Sequence, residues 1–299
     1  MSRPIKRNLA ASVRQRLLTL SQDRKEPFDT VLARYAIERL LYRLSTSSHA
    51  DRFVLKGAML FVVWAEAVPR PTRDLNLLGY GSPDPDEITR IFREICASVV
   101  EPDGLNFLQD TVSAESIRDN AAYPGIRVKI IARLANIRIP VQVDIGFGDA
   151  ITPHPERADF PTLLDFPGPR LRAYPIYTVI AEKIEAMASL GLANSRMKDF
   201  YDLWFMSQNF DFKGSLVVNA IRNTFECRKT NLTTELPSTE DFTRSVSTNW
   251  HGFTARNKLT APHIEHTLVL IRLFVDPPLS AARKDEKFNK NWKAGGTWQ

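Results

Sequence analysis

Two stretches of alternating polarity, joined by a pair of residues, constrain this chain more than any other feature. In residues 126–134, Ile126, Val128 and Ile130 fall on one side and Arg127 and Lys129 on the other. In residues 137–146 the pattern returns, with Val141, Val143 and Ile145 opposed to Gln142 and Asp144. A period of two marks a β-strand with one buried face. Ala135-Asn136 between them suits a hairpin turn, although the glycine of the strongest turn pairs is missing.

Most other segments have a helical pattern. Residues 8–20 and 28–44 space apolar side chains at helical intervals. In the second, Val31, Tyr35, Ile37, Leu40, Leu41 and Leu44 form the buried side, and Arg34, Arg39 and Arg43 decorate the rest. Residues 55–64 predict a helix after a glycine turn, and 73–78 a short strand. Asp84-Pro-Asp-Glu caps a helix reaching about residue 99. Residues 105–108 and 111–117 read as strands or turns. A proline-rich crossing covers 152–169, followed by a short strand at 172–175. Five helices follow, over 176–190, 195–208, 215–224, 239–249 and 263–274. The polar, Lys-rich tail from residue 281 is expected to be loosely ordered. The expected organisation is α+β: N-terminal helices in 1–50, a core of a small mixed sheet with flanking helices in 51–170, and a helical C-terminal region in 171–299.

The chain has 299 residues, enough for one large domain or two modest ones. Its 43% hydrophobic and 25% charged residues indicate a folded globular protein. No apolar run reaches the length of a membrane span, and the first residues lack the apolar region of a secretory leader. Two cysteines, Cys96 and Cys227, are too few for a disulfide framework. A cytoplasmic location is therefore expected. The net charge of +6 is compatible with nucleic acid without identifying it.

Asp74 and Asn76 are two apart on the predicted strand and share a face, while Leu75 and Leu77 point into the core. Asp144 lies on the polar face of 137–146 and would face that pair if the strands are neighbours. Such hard oxygen donors suit Mg²⁺ held against a triphosphate. Nucleotidyl transfer asks for positioning and charge neutralisation more than covalent help. Lys56-Gly57-Ala58 stands a short distance before, and its glycine would let backbone N–H groups approach a phosphate. Taken singly, each acid is also what an ordinary turn or edge strand carries.

Lys56-Gly57-Ala58, Arg73-Asp74-Leu75-Asn76, Asp144, Ala181-Glu-Lys183 and Arg196-Met-Lys-Asp199-Phe-Tyr-Asp202 together resemble the AbiEii/AbiGii toxin family, to which the MenT toxins are similar. The resemblance spans roughly residues 30–210. It implies a polymerase-β-type nucleotidyltransferase core with a helical C-terminal region, NTP as substrate, a cognate antitoxin, and in MenT-like members a tRNA 3′ end as acceptor. On this likeness Asp74 is the first metal-binding acid, with Asn76 and Asp144 completing the metal set. Lys56, Gly57 and Ala58 would sit against the NTP phosphates. Lys183 would grip the triphosphate, with Arg196 and Lys198 nearby, and Asp199 would act as a base or orienting group. Asp202 is a structural partner one turn along the helix.

Two positions depart from the family. Asn76 stands where a second acid is usual; it offers a carbonyl oxygen but no charge, so Mg²⁺ should bind more weakly and the nucleophile be poorly activated. Either the chain is a degenerate member, or Asn76 is an isosteric inactivating exchange of an original aspartate. Ala58 replaces the Ser or Gly found elsewhere, a modest loss since backbone groups can still serve. Thr72 lies two residues before Asp74, and a phosphate there would set about two negative charges against the site; a threonine chosen for β-propensity is the plainer account. His263 and His266 share a late helix without a third ligand, and Cys96 reads as core.

The function expected is transfer of a nucleotide from an NTP to RNA, with Arg34, Arg39, Arg43, Arg127, Lys129 and Arg133 tracking its backbone. Modification of a protein hydroxyl and a catalytically dead binding module are the alternatives.

Overall fold

The computed structural model describes residues 8–65, 70–72, 74–117, 125–233 and 240–299. The chain forms two compact units, Met1–Gly148 with Glu156–Ala173, and Asp149–Pro155 with Tyr174–Gln299.

The first unit is a seven-stranded mixed sheet with helices packed on it. In order it contains α1 (Leu9–Asp23), α2 (Phe28–Thr46), β1 (Phe53–Lys56), α3 (Leu60–Trp64), β2 (Leu75–Gly79), α4 (Pro85–Ala97), β3 (Leu105–Ile117), β4 (Gly125–Leu134), β5 (Ile137–Phe147), β6 (Glu156–Asp159) and β7 (Arg170–Ala173). The strands lie in the order β3-β4-β5-β2-β1-β7-β6. β2 runs parallel to β5 and antiparallel to β1, so the glycine turn after β1 is brought beside the predicted hairpin.

That hairpin is β4–β5, in register from Gly125 opposite Gly146 to Leu134 opposite Ile137. Ala135 adopts φ 51, a left-handed turn value that glycine or asparagine usually supplies. The apolar side of the alternation is buried, including Ile126, Val128, Ile130, Val141, Val143 and Ile145. α4 faces the core with Ile88, Ile91, Phe92, Ile95 and Cys96, one stripe at helical spacing. Its start is where the sequence places it. Pro85 opens the helix, and the Asp84 carboxylate accepts from the Asp86 N–H at 3.2 Å.

Three expectations for this unit are corrected. Residues 55–64 are not one helix. Phe53, Val54 and Leu55 are buried in a central strand, Gly57 turns the chain at φ 77, and only Leu60–Trp64 is α-helical. Residues 105–117 form a single strand with an irregularity between Leu108 and Ser113. There the Thr111 hydroxyl donates to the Leu108 carbonyl at 2.6 Å and accepts from the Ile131 N–H at 3.0 Å, restoring bonds the bulge disrupts.

The third correction concerns the arginines of α2. Arg39 and Arg43 are 1% and 5% exposed, so neither decorates a surface nor tracks RNA. Arg43 grips the buried Asp103 carboxylate at 2.7 and 3.2 Å. Arg39 donates to the Pro167 carbonyl at 2.6 Å and lies over the Tyr42 ring. Neighbouring Glu38 accepts the Leu163 N–H at 2.7 Å. Arg43 and Asp103 are tolerated as a hydrogen-bonded buried pair, burial pushes Glu38 toward its neutral form, and together these contacts fasten residues 103 and 163–167 to α2.

The second unit comprises α5 (Ile176–Leu190), α6 (Met197–Asn209), β8 (Phe212–Lys213), α7 (Gly214–Cys227), α8 (Glu240–Asn257), α9 (Ile264–Arg283) and β9 (Asn291–Trp292). All five predicted helices are present; α8 and α9 run further than their patterns suggested. α9 continues through Pro277-Pro278. Proline at 278 cannot donate to the Phe274 carbonyl one turn earlier. The Trp298 indole N–H donates to that carbonyl instead, at 2.8 Å. Trp292 likewise donates to the Ser207 carbonyl of α6 at 2.7 Å, and β9 pairs with β8. The tail is therefore packed rather than loosely ordered, with Trp292 and Trp298 buried. No helix among the described residues is long and apolar enough to cross a membrane.

Candidate active site

The residues that the sequence singles out fall into two sets, one in each unit. In the first unit, strand pairing lines up Lys56 with Asn76, Asn76 with Asp144, and Asp144 with Arg127. Laterally paired residues point to the same face. A single row thus crosses β1, β2, β5 and β4, on the face opposite Leu75, Leu77, Val143 and Ile145. Asp74 precedes β2 and is exposed, while Lys56, Asn76 and Asp144 are half-buried.

Gly57 and Asn76 fit each other. A Cβ at position 57 would lie 2.9 Å from Asn76 Nδ2 and 3.1 Å from its Cβ. Together with φ 77, that closeness makes glycine the residue this turn requires. Ala58 follows in a 3₁₀ turn from Gly57 to Met59. Thr72 is buried at 8% exposure. Arg73 lies outside the described residues.

Asp144 is the most constrained acid of the set. Arg127 Nε donates to its Oδ1 at 2.8 Å and Nη2 to its Oδ2 at 2.9 Å. The Gln142 amide approaches both oxygens at 3.3 Å. Lys129 pairs with Glu115 and Arg34 with Glu26. The proposed RNA track of six cations is therefore largely engaged in ion pairs or buried; Lys129 and Arg133 are its exposed members, and Lys129 is paired with Glu115.

Donor type fits Mg²⁺: two carboxylates and an amide oxygen are hard ligands. Among the described residues no group of three His, Cys, Asp or Glu side chains could hold an ion. An ion here would need the Asn76 oxygen, and would share Asp144 with a guanidinium.

In the second unit, α5 carries Lys183 and α6 begins with Met197, Lys198 and Asp199. Lys183 Nζ donates to Asp199 Oδ1 at 2.8 Å and to Asp202 Oδ2 at 2.7 Å. Asp199 and Asp202 are 3% and 0% exposed. Arg196 Nε lies 2.9 Å from Asp199 Oδ2, without the alignment of a hydrogen bond. Burial pushes the Asp199 carboxyl up, but Lys183, Arg196 and Lys198 outweigh it and hold it below the usual carboxylate range. A carboxylate held low is a poor base, so this geometry suits Asp199 to orienting Lys183 rather than accepting a proton.

The sequence reading passed over Arg228, just beyond α7. It contacts Glu185 at 2.8 Å and both Asp149 and Glu182 at 3.0 Å. Burial alone would lower its proton affinity; three carboxylates raise it instead. Glu182 and Glu185 flank Lys183 on α5, so this arginine fixes the helix that presents the lysine. No pattern in the local sequence signals it.

The family described as nucleotidyl transferase AbiEii toxin of a type IV toxin–antitoxin system matches residues 39–284. Among curated proteins no sequence matches the chain. Two crystal structures from Helicobacter pylori are similar, one of JHP933 and one of a candidate nucleotidyltransferase. Each is 12% identical with a TM-score of 0.49 and is aligned over 86% of this chain; the alignments span 92% and 98% of theirs. The mixed sheet with its flanking helices and the helical second unit are the polymerase-β-type arrangement, and the chain belongs to the AbiEii family of toxin nucleotidyltransferases.

Proposed function

We propose that this toxin transfers a nucleotide from an NTP to an RNA acceptor, the tRNA 3′ end, in a cytoplasmic reaction assisted by Mg²⁺ and countered by a cognate antitoxin. The observation that carries the reading is the lateral row of Lys56, Asn76 and Asp144 beside the Gly57 turn. In it, Asp74, Asn76 and Asp144 would hold the ion. When bound, Mg²⁺ would neutralise charge on the triphosphate and orient it. Lys56 and the backbone at Gly57 and Ala58 would meet phosphate oxygens. Lys183 would do so as a point charge held in place by Asp199 and Asp202, with Arg196 and Lys198 adding positive potential.

One experiment tests this. Purified protein, as Asn76 and as Asn76→Asp, is incubated with radiolabelled NTPs, Mg²⁺ and either total RNA or total protein. Label in small RNA supports the reading. Label in protein instead would move the acceptor to a protein hydroxyl.

A second reading has its own support. Asn76 is uncharged, and Asp144 is already ion-paired with Arg127. Both suit a binding module without turnover. If Asn76→Asp is inert towards every NTP and harmless to cells, that module is the correct description.

A further inference from the structure

Arg127 and Asp144 sit on neighbouring strands and are joined by two parallel N–H···O contacts, 2.8 and 2.9 Å long. A carboxylate has about four lone-pair positions. The guanidinium takes two of them, and the Gln142 amide leans on both oxygens from the same strand. A divalent ion reaching Asp144 therefore meets a positive charge already seated. Asn76, next in the row, adds no negative charge to offset it, Lys56 beyond is a second cation, and Asp74, exposed ahead of β2, is the other acid of the set.

We propose that Arg127 is an exchangeable counter-ion: it occupies Asp144 in the empty site, then turns to the phosphate oxygens of an arriving triphosphate and yields Asp144 to the divalent ion. The inference deepens the metal-site reading above and rests on it. A guanidinium matches phosphate as well as it matches carboxylate, in the same forked geometry. An ion and a guanidinium sharing one carboxylate repel each other, and the repulsion is stronger in a half-buried place than in water. A triphosphate supplies the negative charge that lets both stay. The side chains are 34% and 21% exposed, so the pair borders solvent rather than lying in the sealed core.

The consequence is coupling. The ion alone binds poorly, the triphosphate alone finds a cation, and each strengthens the other by the same factor. A cross-strand ion pair that merely steadies the hairpin would lower stability when removed. Its removal would free a carboxylate for an ion but would leave metal-free triphosphate binding unchanged.

The test measures Mn²⁺ binding without nucleotide, and inorganic triphosphate binding in EDTA, by calorimetry on the full chain. Arg127→Ala is expected to bind Mn²⁺ about tenfold more tightly, about 1.4 kcal/mol, and metal-free triphosphate about tenfold more weakly. Asp144→Asn is expected to lose Mn²⁺ and to bind metal-free triphosphate more tightly than the unaltered protein. Arg127→Gln serves as the neutral variant if alanine does not fold. Unchanged metal-free triphosphate binding in the arginine variants, or unchanged or weaker Mn²⁺ binding with Asp144→Asn having lost it, overturns the exchange. Mn²⁺ binding that survives Asp144→Asn overturns the metal-site reading itself, and the exchange with it.

Discussion

At the scale of single residues, charge and backbone geometry decide most of what this site can do. Asn76→Asp sets a second carboxylate beside Asp144. A carboxylate there repels the phosphate itself and helps only by holding the proposed Mg²⁺, whose charge stabilisation of the reacting phosphate is worth about a hundredfold in rate, so NTP consumption with Mg²⁺ should rise by about that factor. Gly57→Ala places a side chain against Asn76 at a left-handed φ. The backbone cost alone is about 1–2 kcal/mol, so urea unfolding should show at least that loss. Glu38 is a third case. Burial pushes its carboxyl up to about 7, against the lowering effect of the Leu163 N–H and of Arg39. Arg39 Nε is 3.1 Å from Glu38 Oε1 but not aligned to donate. A folded-state value above the usual one means a contribution to stability that is complete below about pH 4.5 and lost as pH rises through about 7. Its full span is about 3 kcal/mol. Melting temperature followed from pH 4.5 to 8 should fall less in Glu38→Gln than in the unaltered chain.

At the scale of elements, the tail shows why local composition misled. Residues 281–299 are polar and Lys-rich, yet two tryptophans six residues apart carry the docking. Trp298→Phe would keep a ring but leave the Phe274 carbonyl without its donor. An unmade buried hydrogen bond costs about 1–3 kcal/mol, and thermal unfolding should move accordingly. Trp298→Ala should lose more, about 3–5 kcal/mol for a large buried aromatic. Neither the carbonyl nor its donor was legible in advance, because the helical pattern was read only to residue 274 and α9 runs on through Pro277-Pro278. The hairpin was legible throughout. Its alternation named the buried face, and a two-residue turn dictates the register that sets Arg127 opposite Asp144. That pairing was within reach of the sequence but was read as a solvent-facing arginine. The arginines of α2 went wrong for a different reason. Helical periodicity says which side is apolar, not whether a loop such as 160–169 folds over the other side and buries it. Lys183 and Asp199 owed their selection to the likeness of their motifs, because a lysine and an aspartate sixteen residues apart carry no spacing signal of their own.

At the scale of the whole molecule, the order in which the chain visits its two units matters. It leaves the first unit after Gly148, returns at Glu156 and leaves again after Ala173. The short excursion is not idle. Thr152 exchanges two hydrogen bonds with Thr178 and accepts one from Asn223, while Asp149 pairs with Arg228. The returning segment supplies β7, the strand beside β1, and β6 at the sheet's edge. No single cut therefore yields two self-sufficient fragments. A product ending at residue 148 lacks two strands, and one beginning at 174 lacks Thr152, the partner of Thr178, and Asp149, one of the three partners of Arg228. Limited proteolysis should release no stable half, and co-expressed fragments split at 148/149 should recover solubility only when both are present. During synthesis the sheet stays unfinished until the ribosome has passed residue 173, so a toxin of this design would emerge inert and gain its folded sheet only after more than half of its chain is made.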